Sequence, residues 1–292
     1  MLQNTLEKYK KFFDEKIDEL YPDLKLDYDI VLKASRYSLC LGGKRIRPVI
    51  VMEFCKMLGG DPEKAAEFAV ALEMIHTYSL IHDDLPCMDN DDMRRGKPAC
   101  HIEFGENTAL LAGDTLLTEA FGILAKAKLP DDRIVKAVKV LSHFAGLHGM
   151  IGGQVLDLQF EKTVPNAEML KDMYSKKTAG LLTAASMLGC IAAGKLSDDT
   201  LDLAAKYGYN LGVAFQVIDD ILDYTADETL LGKPTLSDQK NKKTTFVTIY
   251  GIEKAKNIAG ELTNKALETL KQFNGDTWLL ELLTKYLLER NY

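Results

Sequence analysis

The chain has 292 residues, 47% of them hydrophobic and 27% charged, with a net charge of −7. That size and composition suit a globular chain with a substantial core, and the negative balance argues against general affinity for nucleic acid. Five scattered cysteines (Cys40, Cys55, Cys87, Cys100, Cys190) form no CxxC pair and none stands at metal-ligand spacing from a histidine, so reduced thiols in a cytosolic protein are expected.

From the N-terminus, residues 1–20 are charged and amphipathic, unlike a signal peptide. Apolar positions at Leu6, Tyr9, Phe13, Ile17 and Leu20 predict a helix from Leu2 to Tyr21, stopped by Pro22. A second helix is expected from Asp29 to Leu41. Gly42-Gly43-Lys44-Arg45-Ile46-Arg47-Pro48 then breaks the pattern, and Pro48 suits the first turn of the next helix. Lys44 and Arg47 lie on this tight connection beside glycines that let an anion approach the backbone. A solvated helix end and an anion site fit it equally. Val49 to Leu58 reads as a buried helix. Asp61 and Pro62 start another, which runs to about Asp84 and is stopped by Pro86.

Five aspartates fall between Asp83 and Asp92, and Arg94 and Arg95 follow. Asp83 and Asp84 occupy the last helical turn, where negative charge opposes the helix dipole, and Asp89 belongs to the loop beyond. Crowded carboxylates repel one another, so water or a cation has to neutralise them. After a Gly96-Lys97-Pro98 turn, helices are predicted over Thr108 to Ala127, Asp131 to Gly149 and Gly153 to Phe160. Asn166 caps the next, to about Ala193, with Lys177-Thr178 in its middle; Ser197 caps another, to about Asp223. The longest apolar run, Leu181 to Gly194, is too short to span a bilayer, and no transmembrane helix is expected. Residues 227–243 are polar and loop-like, with Gly232-Lys233-Pro234 inside. Two or three amphipathic helices close the chain. No alternating strand pattern with hairpin turns occurs. The expected fold is all-α, a single domain over residues 1–292 with no linker.

Asp219, Asp220 and Asp223 form a second acidic group at the end of another apolar helix. Asp219 and Asp223 share one helix face, a spacing that destabilises a bare helix. Clustered carboxylates without His or Cys select a hard cation, and Mg²⁺ completes its shell with water and phosphate oxygens. Two such clusters facing each other suit several Mg²⁺ ions around one diphosphate, which reconciles an acidic protein with an anionic substrate. A diphosphate gripped this way is a leaving group, and Lys177, Lys233 and Lys243 read as clamps around it.

Taken in order, Gly42 to Pro48, His76 to Arg95, Gly152-Gly153-Gln154-Val155-Leu156-Asp157-Leu158, Lys177-Thr178, Phe215 to Asp223 and Gly232-Lys233 resemble the motifs of the trans-isoprenyl diphosphate synthases, and within them the bacterial farnesyl-forming members. The resemblance covers nearly the whole chain. It implies an all-α fold around a deep cavity, a homodimer, and three Mg²⁺ per site. It implies that Asp83 and Asp89 bind Mg²⁺ with help from Asp84, and that Asp219, supported by Asp220 and Asp223, binds another. Arg94, Lys177, Thr178, Gln216, Lys233 and Lys243 would hold the allylic diphosphate; Lys44, Arg47, His76 and Arg95 would hold isopentenyl diphosphate. The implied reaction is ionisation of the allylic diphosphate, head-to-tail attack by the isopentenyl double bond, and loss of a proton. No side-chain base stands out in the motifs, which leaves the released diphosphate as acceptor, with Thr178 and Gln216 steadying the cation.

Product length is expected to follow from Tyr78 and Ser79, one to one and a half turns upstream of Asp83, roughly 6–8 Å at the helical rise. A ring at Tyr78 would floor the pocket and favour a C15 product; the alternatives are that Tyr78 simply packs in the core and that the product is C20. A terpene cyclase would need only one diphosphate site. A non-catalytic synthase subunit typically loses an Asp motif, and an EF-hand loop is absent.

Overall fold

The computed structural model describes residues 2–225 and 243–289. Among them lie fourteen α-helices: α1 (Leu2–Leu20), α2 (Asp29–Cys40), α3 (Ile46–Met57), α4 (Ala66–Asp83), α5 (Cys100–Phe104), α6 (Glu106–Ala125), α7 (Asp131–Ala145), α8 (Met150–Phe160), α9 (Ala167–Lys177), α10 (Ala179–Ala192), α11 (Asp198–Thr225), α12 (Phe246–Tyr250), α13 (Ile252–Leu270) and α14 (Trp278–Glu289). A 3-10 turn, Pro62–Ala65, leads into α4, and Asp61 caps it by accepting from the Glu63 amide. The all-α expectation holds.

Central helices are apolar all round. In α10 every residue but Met187 is buried, and α3 and α4 are nearly as enclosed. A helix without a polar face has to be surrounded by others. Accordingly α10 packs on α3, α7 and α11, while α4 packs on α3 and α6 and α11 packs on α13. The amphipathic helices α1, α7 and α13 lie outside, each burying one stripe, such as Phe13 and Ile17 of α1.

One buried ion cluster pins the outer helix α1 to this core. Arg45 precedes α3 in a left-handed conformation (φ +50°). Its guanidinium donates to Glu73 of α4 at 2.9 Å, to Asp14 of α1 at 3.2 Å and to the Leu39 carbonyl of α2 at 2.7 Å. It also lies 5.3 Å from the Phe13 ring. Of the three basic residues on the Gly42–Pro48 connection, Arg45 is thus the structural one.

Several expected boundaries move. The helix predicted from Asn166 to Ala193 is two helices, α9 and α10, broken at Thr178. Asn166 does cap α9, accepting from the Met169 amide at 3.0 Å. Lys177 and Thr178 therefore stand at a helix junction, away from mid-helix. α8 begins at Met150, earlier than expected, and includes Gly152 and Gly153. A small antiparallel hairpin, β1 (Met93–Arg94) and β2 (Lys97–Pro98), follows the first acidic cluster. Arg95 and Gly96 form its turn with φ +53° and +74°, the signs of a type I′ turn.

Glu106–Ala125 and Asp131–Phe160 are long and apolar enough, by length and composition alone, to cross a membrane, but only 39% and 33% of their windows are buried in the chain. Leu110, Leu111, Val135, Leu147, Ile151 and Val155 remain exposed there. Asp114 and Glu119 lie on the open side of α6 as well. Acidic side chains on that side suit a wet protein surface better than lipid.

Candidate active site

The first acidic cluster begins where α4 runs out. Residues 84–89 fold back on the helix end. The Asp89 amide donates to the Asp83 carbonyl at 2.9 Å, and the Met88 amide donates to the Leu85 carbonyl at 2.8 Å. Five intervening residues thus bring Asp89 beside Asp83, close enough that Asp83 feels its charge. Burial raises the Asp83 carboxyl above the usual range. Asp89 and Asp157 push the same way, and Lys177 and Arg94 oppose. Gln154 of α8 donates to the Asp83 carboxylate at 2.5 Å.

Asp84 departs from expectation. Its side chain is 2% exposed and faces away from solvent. Arg94 Nε donates to both its oxygens at 3.0 Å, and the Arg94 terminal amine donates to it as well. A carboxylate gripped by a guanidinium fork is committed to that partner. Asp84 holds Arg94 in place, with Asp91 assisting at 3.4 Å.

The second cluster divides in the same way. Asp220 is 4% exposed and accepts from the Tyr174 hydroxyl at 2.6 Å and the Phe246 amide at 3.0 Å. It ties α9 and α12 to α11. Asp219 and Asp223 are half-buried on α11, and the charge of Asp219 reaches Arg47.

A chain of polar contacts joins the clusters. Lys177 donates to Asp157 of α8 at 2.6 Å, and Lys243 lies 3.6 Å from the same carboxylate. These two lysines hold the Asp157 carboxyl below its usual range despite burial. The Thr178 hydroxyl donates to Gln216 at 2.8 Å, and the Gln216 amide reaches Asp220 at 3.4 Å. Asp157, Lys177, Thr178, Gln216, Asp220 and Lys243 line one cavity of about 130 Å³. Close approach of α8 and α9 makes this possible: a Cβ on Gly153 would sit 2.2 Å from the Lys177 amide. Lys233 lies outside the described residues.

Gln154 and Asp157 carry this bridge, yet the sequence reading gives neither a role. Their signal was present. Three residues apart on a helix, they share a face directly after Gly152-Gly153.

A separate group of cations gathers at the start of α3 and on the α4 face. Burial, then Arg47, Arg95, Arg45 and Arg94 in turn, hold His76 well below the ordinary imidazole range, so it is neutral near pH 7. Desolvation also lowers the Arg47 guanidinium, whose Nε is buried with no hydrogen-bond partner. The Arg95 guanidinium donates to the Gly42 carbonyl. Gly43, at φ +113°, sits in a conformation that strains any side chain, and a Cβ there would also push the Arg95 guanidinium aside, 2.8 Å away. A non-glycine residue in the left-handed region, like Arg95, carries strain that marks functional turns. Lys44 extends into solvent nearby. Cations gathered this closely with an unpaired guanidinium nitrogen suit an anion.

Further up α4, the Tyr78 ring is 5% exposed and meets the His82 ring edge-on at 5.7 Å. Its hydroxyl is buried without a partner, and burial pushes the phenol up to about 12. Ser79 is half-buried, its hydroxyl donating to the His76 carbonyl at 2.8 Å.

This architecture, an all-α shell with two acidic helix ends bridged by a Gln-Asp-Lys chain and a separate cationic pocket, has close counterparts. The Polyprenyl synthetase family profile matches residues 28–278. The farnesyl diphosphate synthase of Escherichia coli (strain K12) is 44% identical over 269 residues, 89% of each chain. A geranylgeranyl diphosphate synthase of Cyanophora paradoxa is 42% identical over 259 residues, covering 88% of this chain and 86% of its own. A crystal structure of a geranyltransferase from Helicobacter pylori, complexed with magnesium and isoprenyl diphosphate, superposes with a TM-score of 0.81 at 35% identity, covering 96% of both chains. The chain belongs to the polyprenyl synthetase family of prenyltransferases.

Proposed function

We propose that this chain condenses isopentenyl diphosphate with dimethylallyl or geranyl diphosphate, head to tail, to give farnesyl diphosphate (C15) and diphosphate. One observation supports the reading: two clusters of opposite charge lie in one chain, and each suits an anion in a different way. One is built from carboxylates and needs cations to bind an anion; the other is built from Arg47, Arg95, Lys44 and neutral His76 and binds one directly.

The carboxylate set fits Mg²⁺. Asp83, Asp89 and Asp219 offer hard oxygen donors, and Cys87 is a poor ligand for such an ion. Among the described residues no three His, Cys, Asp or Glu side chains close around one point. Mg²⁺ needs few protein ligands and fills its shell with water and phosphate oxygens. Three Mg²⁺ per site fit two clusters around one diphosphate. When bound, they neutralise charge on the departing diphosphate.

The chain's own groups do the rest. Lys177, Lys243 and Arg94 bind the allylic diphosphate, joined in this reading by Lys233. As the carbon–oxygen bond ionises, the electron pair leaves with the diphosphate. Thr178 and Gln216, locked together by their hydrogen bond, direct oxygen dipoles at the allylic cation. Lys44, Arg47, His76 and Arg95 orient isopentenyl diphosphate so that its double bond attacks that cation. A proton then passes to the released diphosphate, restoring a double bond. The cationic second pocket disfavours a terpene cyclase, which binds one diphosphate only.

The C15 assignment rests on Tyr78, whose buried ring stands five residues before Asp83, about 7.5 Å at the helical rise. The test incubates the protein with Mg²⁺, isopentenyl diphosphate and labelled geranyl diphosphate. A linear C15 diphosphate is expected. A cyclic hydrocarbon or no product overturns the reaction, and a C20 product from the wild-type chain overturns the length. In Tyr78→Ala the product distribution is expected to shift toward C20, measured by chromatography after dephosphorylation; an unchanged C15 product places the floor elsewhere.

The same reading makes the working unit a homodimer of one domain per chain. Its support is the apolar, acid-dotted open side of α6 and α7–α8, which a second copy covers better than lipid does. Sedimentation equilibrium is expected to give twice the 32.5 kDa chain mass; a monomer at micromolar concentration rejects it.

A further inference from the structure

Among the described residues, every cation around the two sites but one is held by an oxygen acceptor or partly sunk below the surface. Arg45 is closed by Glu73 and Asp14. Lys177 and Lys243 share Asp157, and Arg94 is gripped by Asp84. Arg95 donates to the Gly42 carbonyl, and Arg47 is half-buried with its Nε enclosed. Lys44 is the exception. It is exposed, follows two glycines at φ +86° and +113°, and has no carboxylate partner among the described residues. Its ammonium lies instead 5.7 Å from the centroid of the Tyr286 ring on α14, the last described helix.

The choice of partner matters chemically. A carboxylate would fix the lysine but cancel its charge and compete with an incoming anion. The face of an aromatic ring attracts the ammonium through its quadrupole and leaves the full positive charge available. A lysine on a glycine-rich connection also has many conformations to lose on binding, and a docking surface reduces that loss. The ring itself is presented on a fixed support. Tyr286 packs against the main core beside buried Leu283 and Leu287, and Thr284 in the preceding turn pairs with the Tyr207 hydroxyl at 2.9 Å.

We infer that Tyr286 is a positioning residue for the isopentenyl diphosphate site, holding the Lys44 ammonium in place without neutralising it. The inference rests on the assignment of that site under Proposed function. It makes the last helix part of substrate recognition, although α14 lies far along the chain from every acidic and basic motif.

Calorimetric titration of isopentenyl diphosphate in magnesium-free buffer tests it, because without metal the carboxylate clusters repel the ligand and only the cationic pocket binds. Tyr286→Leu is expected to weaken binding roughly two- to five-fold. Tyr286→Phe, which keeps the ring, is expected to bind like the wild type. In a Lys44→Met background, Tyr286→Leu is expected to add no further loss. In turnover with Mg²⁺, the loss appears in KM for isopentenyl diphosphate, with KM for the allylic substrate and kcat unchanged. Equal losses in Tyr286→Leu and Tyr286→Phe, the same loss in the Lys44→Met background, no loss at all, or no binding by the wild type each overturn the inference. Failure of the functional reading shows separately, as a wild-type protein that binds isopentenyl diphosphate and makes no linear product.

Discussion

Asp83→Ala is expected to lower kcat by roughly 10²–10³-fold, the scale of losing one preorganised electrostatic contact to a developing charge. Asp219→Ala is expected to do the same from the opposite side. The measurement is steady-state turnover at saturating Mg²⁺, and a rate within threefold of wild type removes the residue from the machinery. Stability is expected to move the other way. The folded protein raises the Asp83 carboxyl above its unfolded value, so the folded state holds that proton more tightly. An ionised Asp83 then opposes folding, and its share of stability falls as pH rises through and above the ordinary carboxylate range. In metal-free buffer at pH 7, Asp83→Ala should therefore melt no lower than wild type. The unfavourable acid at the end of α4 reads as stability given up for function.

Glu73→Leu is expected to destabilise the chain by about 3–5 kcal/mol, because it leaves the Arg45 guanidinium buried beside an apolar side chain. Both partners are nearly inaccessible, with side-chain exposures of 1% for Arg45 and 3% for Glu73. The single change takes away the buried carboxylate and leaves Arg45 with only the more exposed Asp14, whereas the pair Arg45→Met with Glu73→Leu removes both buried charges and is expected to recover most of the loss. Denaturant unfolding of the two variants decides the matter. A double variant as unstable as the single one would show that the Asp14, Leu39 and Phe13 contacts of Arg45, and with them the docking of α1, carry the energy.

The helical fold was legible because long apolar-periodic segments announce helices and the Gly, Pro, Asp and Asn at their ends punctuate them. Three features escaped for physical reasons. Thr178 interrupts a helix without being a helix breaker, and its hydroxyl finds Gln216 across the cleft, a long-range partner that no local pattern contains. The hairpin at Arg94 to Lys97 is two residues a side, too short for alternation to register. Neighbouring aspartates were also indistinguishable by type. Adjacent residues on a helix point about 100° apart. Asp83 meets Gln154 while Asp84 meets Arg94, and Asp220 turns to Tyr174 and the Phe246 amide. Composition named the acidic clusters; only packing separates the carboxylates that face the cleft from those that brace it.

Asp157 has a consequence for ligand discrimination. Because Lys177 and Lys243 already rest on its carboxylate, an anion entering this pocket meets an occupied receptor. Inorganic phosphate, a free carboxylate or a diphosphate without metal has to dislodge an internal rival that is tethered at high effective concentration. A ligand bearing its own divalent cations brings positive charge with it, so Asp157 gains a new neighbour as it loses the lysines. The rival becomes an ally only for a metal-loaded guest.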